Sequence, residues 1–171
     1  MCKPWWVTRA APGIATRIDP TRLPGRPCSV AAALELIGDR WSLLAVREVA
    51  FGNHRFSEIA RNTGAPRDRL AARLKMLVEA GVLERRQYQQ VPARSDYHLT
   101  AAGRALAPVL QALRQWGDAW AVTAVPASQL HHDHELDARW VCQTCGEAVR
   151  RRDLEQRTLV PGWDLVGPTI H

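Results

Sequence analysis

The chain has 171 residues, 46% hydrophobic and 23% charged, which is the composition of one folded domain with an appendage rather than of a disordered segment. No apolar run reaches the about 18 residues of a membrane helix, and the first residues lack the apolar stretch of a secretory signal, so membrane and secreted classes are set aside. The net charge is +6; all but two of the 23 basic side chains are arginine, and residues 54–94 hold nine basic against four acidic groups, which points to a polyanion as partner.

Residues 1–25 are interrupted by Pro4, Pro12, Pro20 and Pro24, so no helical or strand period survives, and an extended or disordered arm is expected. The pattern changes at Cys28. Ser29 is a suitable cap for a helix with Ala33, Leu34 and Ile37 at helical spacing, ending at Gly38-Asp39. A second helix is expected from Trp41 to Ala50, with Leu44, Val46 and Val49 inward. Ser57 is placed as the cap of a short helix to Asn62, and Gly64-Ala65-Pro66 reads as a turn. A longer helix follows from Arg67 to Ala80, striped by Leu70, Leu74, Leu77 and Val78 and closed by Gly81.

The period then changes from helical to alternating. Residues 82–88 and 95–99 read as two strands joined through Gln89 to Arg94, with Pro92 at the tip. Helix, turn, helix and hairpin in this order predict a mainly α fold with a small β-hairpin wing, a winged helix-turn-helix domain over 26–122. Thr100 caps a last helix, Ala101 to Ala121, which Pro108 should kink. Its stripe of Leu106, Val109, Leu113, Trp116 and Trp120 is too apolar to face water, so a homodimer seam is expected there. Residues 123–171 form an acidic tail.

Several segments carry a resemblance to a known family. They are Cys28-Ser29-Val30, Leu36-Ile37-Gly38-Asp39-Arg40-Trp41, Gly52-Asn53-His54-Arg55-Phe56-Ser57-Glu58-Ile59, the stretch from Arg73-Leu74 to Glu84-Arg85, Val91 to Thr100, and Trp116-Gly117. In this order and spacing, over about 28–121, the chain resembles the HxlR (DUF24) branch of winged-helix transcriptional regulators, related to the MarR group. The resemblance implies a homodimer that binds double-stranded DNA at an operator. It also implies that a cysteine at the position of Cys28 often senses quinones, aldehydes or oxidants, by alkylation or an intersubunit disulfide.

The residues give a matching chemical reading. Arg67, Asp68 and Arg69 occupy the first turn of the expected recognition helix, where arginine suits guanine edges and Asp68 suits cytosine. Arg69, Ala72 and Met76 should point outward. Arg73, Arg55 and the Ser57 hydroxyl are expected at phosphates, and Arg94 near the minor groove. Of the adjacent Arg85 and Arg86, a strand presents only one to DNA. A solvated basic helix start would have the same composition.

Cys28 lies before a helix start, where the dipole favours a thiolate, and Arg26 adds charge; a buried small hydrophobe is the plainer reading. In the tail, Cys142-Gln143-Thr144-Cys145-Gly146 looks like a zinc knuckle, with His132 and His134 as further ligands for a Cys2His2 zinc site, although histidines one residue apart alternate on a strand. A thiol pair without metal and a vestigial knuckle are the alternatives. Too few cysteines are present for a disulfide scaffold, and a reducing cytoplasm is expected. No βαβ pattern surrounds the tail cysteines and no phosphate-cradling loop or nucleophile elbow is present, so a regulator is expected rather than an enzyme. Two other readings share these features: a regulator switched by a non-covalent small molecule, and a winged protein-interaction module with a zinc-binding tail.

Overall fold

The computed structural model describes residues 16–91 and 94–169. Most of the expected arm and the wing tip at Pro92 lie outside these residues. The chain divides into two compact units, one up to Arg114 and one from Gln115, so the division falls inside the last helix. Helices α1 (Ser29–Ile37), α2 (Arg40–Ala50), α3 (Phe56–Thr63) and α4 (Arg67–Glu79) precede a hairpin of β1 (Leu83–Gln89) and β2 (Arg94–Leu99). Short α5 (Ala101–Arg104) and longer α6 (Ala107–Trp120) follow. The second unit carries a two-residue hairpin, β3 (Leu130–His131) with β4 (His134–Glu135).

The core of the first unit is built by one stripe from each helix. Leu70, Leu74 and Leu77 of α4 are fully buried against Ala45, Val46 and Val49 of α2 and Ile59 of α3, with Val82 and Leu83 closing the base of the wing. Leu44, expected inward, is half-exposed and Ala45 takes the buried place, because the helix turns that face toward α4. Leu34 is 55% exposed although Ile37 is buried, so α1 offers an apolar face that none of the described residues covers.

The helix starts differ from expectation by one or two residues. Cys28 rather than Ser29 is the N-cap of α1, and Arg55 rather than Ser57 precedes α3, where the Glu58 carboxylate accepts the Arg55 backbone N–H at 3.0 Å. Asp39 caps α2 by accepting the Trp41 N–H at 2.9 Å, and Thr100 caps α5 by accepting from Gly103. The expected long last helix is two helices. Pro108 sits in the first turn of α6, where its missing N–H costs nothing, whereas in a continuous helix its ring would meet the Arg104 carbonyl. Gly103 is buried where α5 crosses the wing base, and any side chain there would run into the Val82 carbonyl.

In the hairpin, Leu83 pairs with Leu99, Arg85 with Tyr97 and Gln87 with Ser95, with an irregularity before Gln89. The segment before α3 joins as a third short strand: Tyr97 N–H donates to the His54 carbonyl at 2.9 Å, and Arg55 bridges to Asp96. The wing and α3 are thus tied together.

Among the described residues, one charged side chain is buried. Glu48 of α2 is 4% exposed and accepts hydrogen bonds from Asn53 at 2.8 Å, Asn62 at 2.9 Å and Arg47 at 2.7 Å. Burial alone would push its carboxyl up, but the bonds from Asn62 and Arg47, the Arg47 charge and the Asn53 bond outweigh it and hold the group below the usual carboxylate value. Arg47 is more than a third exposed, so the two amides matter more than the ion pair. Glu48→Ala, which strands both amides, is expected to lower stability by about 2–3 kcal/mol in urea unfolding at neutral pH. A carboxyl depressed in the folded state stabilises above its unfolded pKa of about 4.3 and loses that contribution as pH falls through the folded value. The gap between wild type and Glu48→Gln should therefore narrow below about pH 4.

Candidate nucleic-acid interface

Helices α3 and α4 are joined by Gly64, Ala65 and Pro66. Gly64 closes α3 in the left-handed region at φ 67°, a conformation with little penalty only for glycine, while Ala65 is buried. Pro66 then starts α4 without a capping side chain, so its first-turn N–H groups are open to a phosphate oxygen. With Leu70, Leu74 and Leu77 buried, Arg67, Asp68, Arg69, Ala72 and Met76 are left on the exposed face. Arg69, Ala72 and Met76, expected to point outward, are exposed, and Ala71 and Lys75 are exposed beside them.

The arginines of this face are not equivalent. The Arg67 guanidinium lies 4.9 Å from the Phe56 ring centroid, a stacked position that fixes it beside the start of α3. Arg69 projects from the exposed face. Arg73 is half-buried; its Nε lies 3.3 Å from Asp39 Oδ1, so it links α4 to the cap of α2. A phosphate contact by Arg73 would compete with that pair.

Arg55 and Ser57 are both exposed at the start of α3. The Arg55 guanidinium lies 5.8 Å from the Tyr88 ring of β1, and Arg55 shares the outer wing face with Asp96. Arg86 on that face is ion-paired with Glu84, whereas Arg85 is on the opposite face. Arg94 opens β2, exposed, opposite Gln89. Tyr88 is the site residue that sequence reading missed; its alternation with Arg86 along β1 was the available signal. His98 lies 3.0 Å from Asp96 and stacks on His54 at 4.4 Å, bracing the base of the wing.

Cys28 is half-buried at the N-cap of α1. The backbone N–H groups of Ala31 and Val30 at the helix start, with the charge of Arg26, draw the thiol below its usual value against a small effect of burial, although no side-chain bond closes the cap. The stripe expected on one long last helix divides. Leu106 packs on the core of its own unit with Leu110, whereas Val109, Leu113, Trp116 and Trp120 are 47%, 51%, 60% and 78% exposed.

In the second unit, Cys142 is half-buried and Cys145 exposed, both as free thiols. Among the described residues no three His, Cys, Asp or Glu side chains are gathered around one point, so His132 and His134 do not join the cysteines in an assembled four-ligand site. His132 occupies the hairpin turn at φ 53°, and it is His131 that pairs with His134 across the strands. Among the described residues no helix is long and apolar enough to cross a membrane.

A family model described as HxlR-like helix-turn-helix matches residues 36–124. The Mycobacterium tuberculosis protein Rv3095, named an uncharacterized HTH-type transcriptional regulator, is 44% identical over 130 residues, covering 74% of this chain and 82% of that protein. The Synechocystis HTH-type regulator sll1512 is 33% identical over 60% of this chain and 76% of its own length. Among solved structures, PA1607, described as a candidate transcription factor, superposes with a TM-score of 0.65 at 32% identity over 76% of this chain and 94% of its own. The redox regulator HypR in its oxidized form superposes with a TM-score of 0.52 at 30% identity, over 56% of this chain and all of that one. The chain belongs to the HxlR-like helix-turn-helix family, a family of DNA-binding transcriptional regulators.

For DNA, Arg69→Ala is expected to cost about 1–3 kcal/mol and relax base preference at the position it contacts. Arg55→Ala should weaken all sequences alike and flatten the salt dependence. Competition gel-shifts with single-base operator variants separate the two; an unchanged Arg69→Ala profile removes Arg69 from the reading set.

Proposed function

We propose that the protein is a sequence-specific regulator that binds its operator as a homodimer and is switched by covalent modification of Cys28. The observation that carries this reading is the place of Cys28, half-buried at the N-cap of α1, beside an apolar face that no described residue covers. That face holds Val30 and Leu34, 65% and 55% exposed, and Val109, Leu113, Trp116 and Trp120 add a second uncovered stripe. A second copy covering these side chains gives the burial that the single chain leaves out. The partner of the dimer is a double-stranded operator, and we place its action in the cytoplasm, where thiols are kept reduced.

The chemistry of the switch follows from the sulfur. A thiolate adds to an electrophilic carbon of a quinone, forming a C–S bond while a quinone oxygen takes up a proton. Added bulk at the start of α1 shifts the helices that pack on it. The two recognition helices must stay about 34 Å apart to meet successive major grooves, so a small rotation changes affinity. The likeness to HypR, itself named a redox regulator, supports this reading.

Two measurements test it. Trp116→Ala is expected to weaken dimerisation by about 2 kcal/mol, roughly thirtyfold in Kd, in sedimentation equilibrium; a wild-type monomer at micromolar concentration would remove the dimer. Operator affinity measured before and after a quinone should change at least about tenfold in wild type and stay constant in Cys28→Ser. Equal responses in both would move the switch to a non-covalent ligand.

A further inference from the structure

Four arginines in and beside α3, α4 and the wing are held in two different ways. Arg73 is ion-paired with Asp39, and Arg86 with Glu84. Each carboxylate offsets the charge it faces, so these two arginines act within the fold. The other two lie against aromatic rings. The Arg67 guanidinium is 4.9 Å from the centre of the Phe56 ring, and the Arg55 guanidinium is 5.8 Å from that of Tyr88. Both distances fall within the about 6 Å over which a ring attracts a cation. Neither arginine is ion-paired with a carboxylate among the described residues. A ring attracts a guanidinium without neutralising it, and so leaves its charge and its N–H donors for an anion.

Of the two rings, Phe56 has a second reason to be where it is, because it is half-buried and packs on the core of the first unit. Tyr88 has no place in that core; it is 48% exposed near the end of β1. It is also the extra residue of a β-bulge. Gln87 pairs with Ser95 and Gln89 with Arg94, which leaves Tyr88 with no opposite residue on β2. A bulge re-aims a side chain out of the alternation of its strand, and here the ring meets Arg55. The backbone of Arg55 is fixed at the same place. It bridges to Asp96, the Tyr97 N–H donates to the neighbouring His54 carbonyl at 2.9 Å, and the Glu58 carboxylate accepts the Arg55 N–H at 3.0 Å. With its backbone tied down and a ring beside its guanidinium, the long side chain between them keeps few of its rotamers.

We propose that Tyr88 is a positioning residue: its ring holds the Arg55 guanidinium, in the free protein, where it meets a backbone phosphate. This role rests on the reading of α3, α4 and the wing as the surface that meets DNA. Holding the cation in advance removes part of the ordering cost that an exposed arginine meets on binding. The gain is the same for every base sequence, because phosphates carry no base identity.

The test uses the full chain and a fluorescein-labelled, mixed-sequence duplex of about 30 base pairs, titrated by anisotropy at low salt. Arg55→Ala should weaken binding about tenfold. Tyr88→Leu should weaken it about three- to fivefold, and Tyr88→Phe, which keeps the ring, should recover most of that loss. In the Arg55→Ala background, Tyr88→Leu should cost nothing further. With isotope-labelled arginine and no DNA present, the Arg55 δ-methylene protons should be shifted upfield by the ring in wild type and Tyr88→Phe. In Tyr88→Leu they should return to the ordinary arginine position, while urea unfolding stays alike in all three. An equal loss from Tyr88→Leu with and without Arg55 overturns the proposal, since the ring would then act on DNA by itself. Weakened binding by Arg55→Ala beside an unchanged Tyr88→Leu overturns the positioning role and leaves the DNA-binding surface standing. Unchanged binding by Arg55→Ala removes Arg55 from that surface, and the proposal with it, whatever the proton shift.

Discussion

Leu70, Leu74 and Leu77 lose all contact with water on a helix that opens with Arg67, Asp68 and Arg69, and the rest of the first unit is arranged around that burial. Three leucines buried from one helix face are each worth about 2 kcal/mol, so α4 has one rotational setting about its axis. Once that setting is fixed, Arg69, Ala72 and Met76 have nowhere to go but outward. The surface offered to DNA is thus a consequence of core packing, and no separate interaction has to aim the recognition helix. What remains is to fix where the helix sits. The left-handed Gly64, the buried Ala65 and the ion pair from Arg73 to Asp39 do this from both ends.

Glu48 is the polar counterpart of the leucine stripe. Its carboxylate joins Asn53, in the loop after α2, to Asn62, near the end of α3, so one side chain sets the spacing between the scaffold helix and the first helix of the DNA-binding pair. A buried carboxylate accepts such bonds with more strength than a neutral group, and it costs more to leave unpaired. That asymmetry favours a single arrangement of α2 and α3. The wing joins the same frame through the His54 carbonyl and the His54–His98 stack, so α3, α4 and the wing move as one body.

The leucine stripe was legible because its period is strong and its flanks are polar. Glu48 was not, because a lone acid on a helix looks the same whether solvated or buried, and its partners lie five and fourteen residues away. Helix starts were legible to within two residues. Asn, Ser and Asp cap through their side chains, but Cys28 and Arg55 hold those positions by backbone geometry alone. Leu106 fitted the stripe of Val109, Leu113, Trp116 and Trp120 by period, yet it lies in the turn between α5 and α6, outside the helix that carries the others, and packs on the core. The roles of His131 and His132 depend on hairpin register, which two strands of two residues each do not encode in a readable pattern.

The chemistry open to Cys28 follows from its neighbours. It stands half-buried at the N-cap of α1, where the backbone N–H groups of Ala31 and Val30 and the charge of Arg26 favour the charged form of the thiol. Val30 and Leu34 on the same helix are 65% and 55% exposed, so a group added to the sulfur would stand beside apolar side chains that no described residue covers. A change at the start of α1 is carried inward through Ile37, which packs in the same core as Leu70, Leu74 and Leu77 of α4.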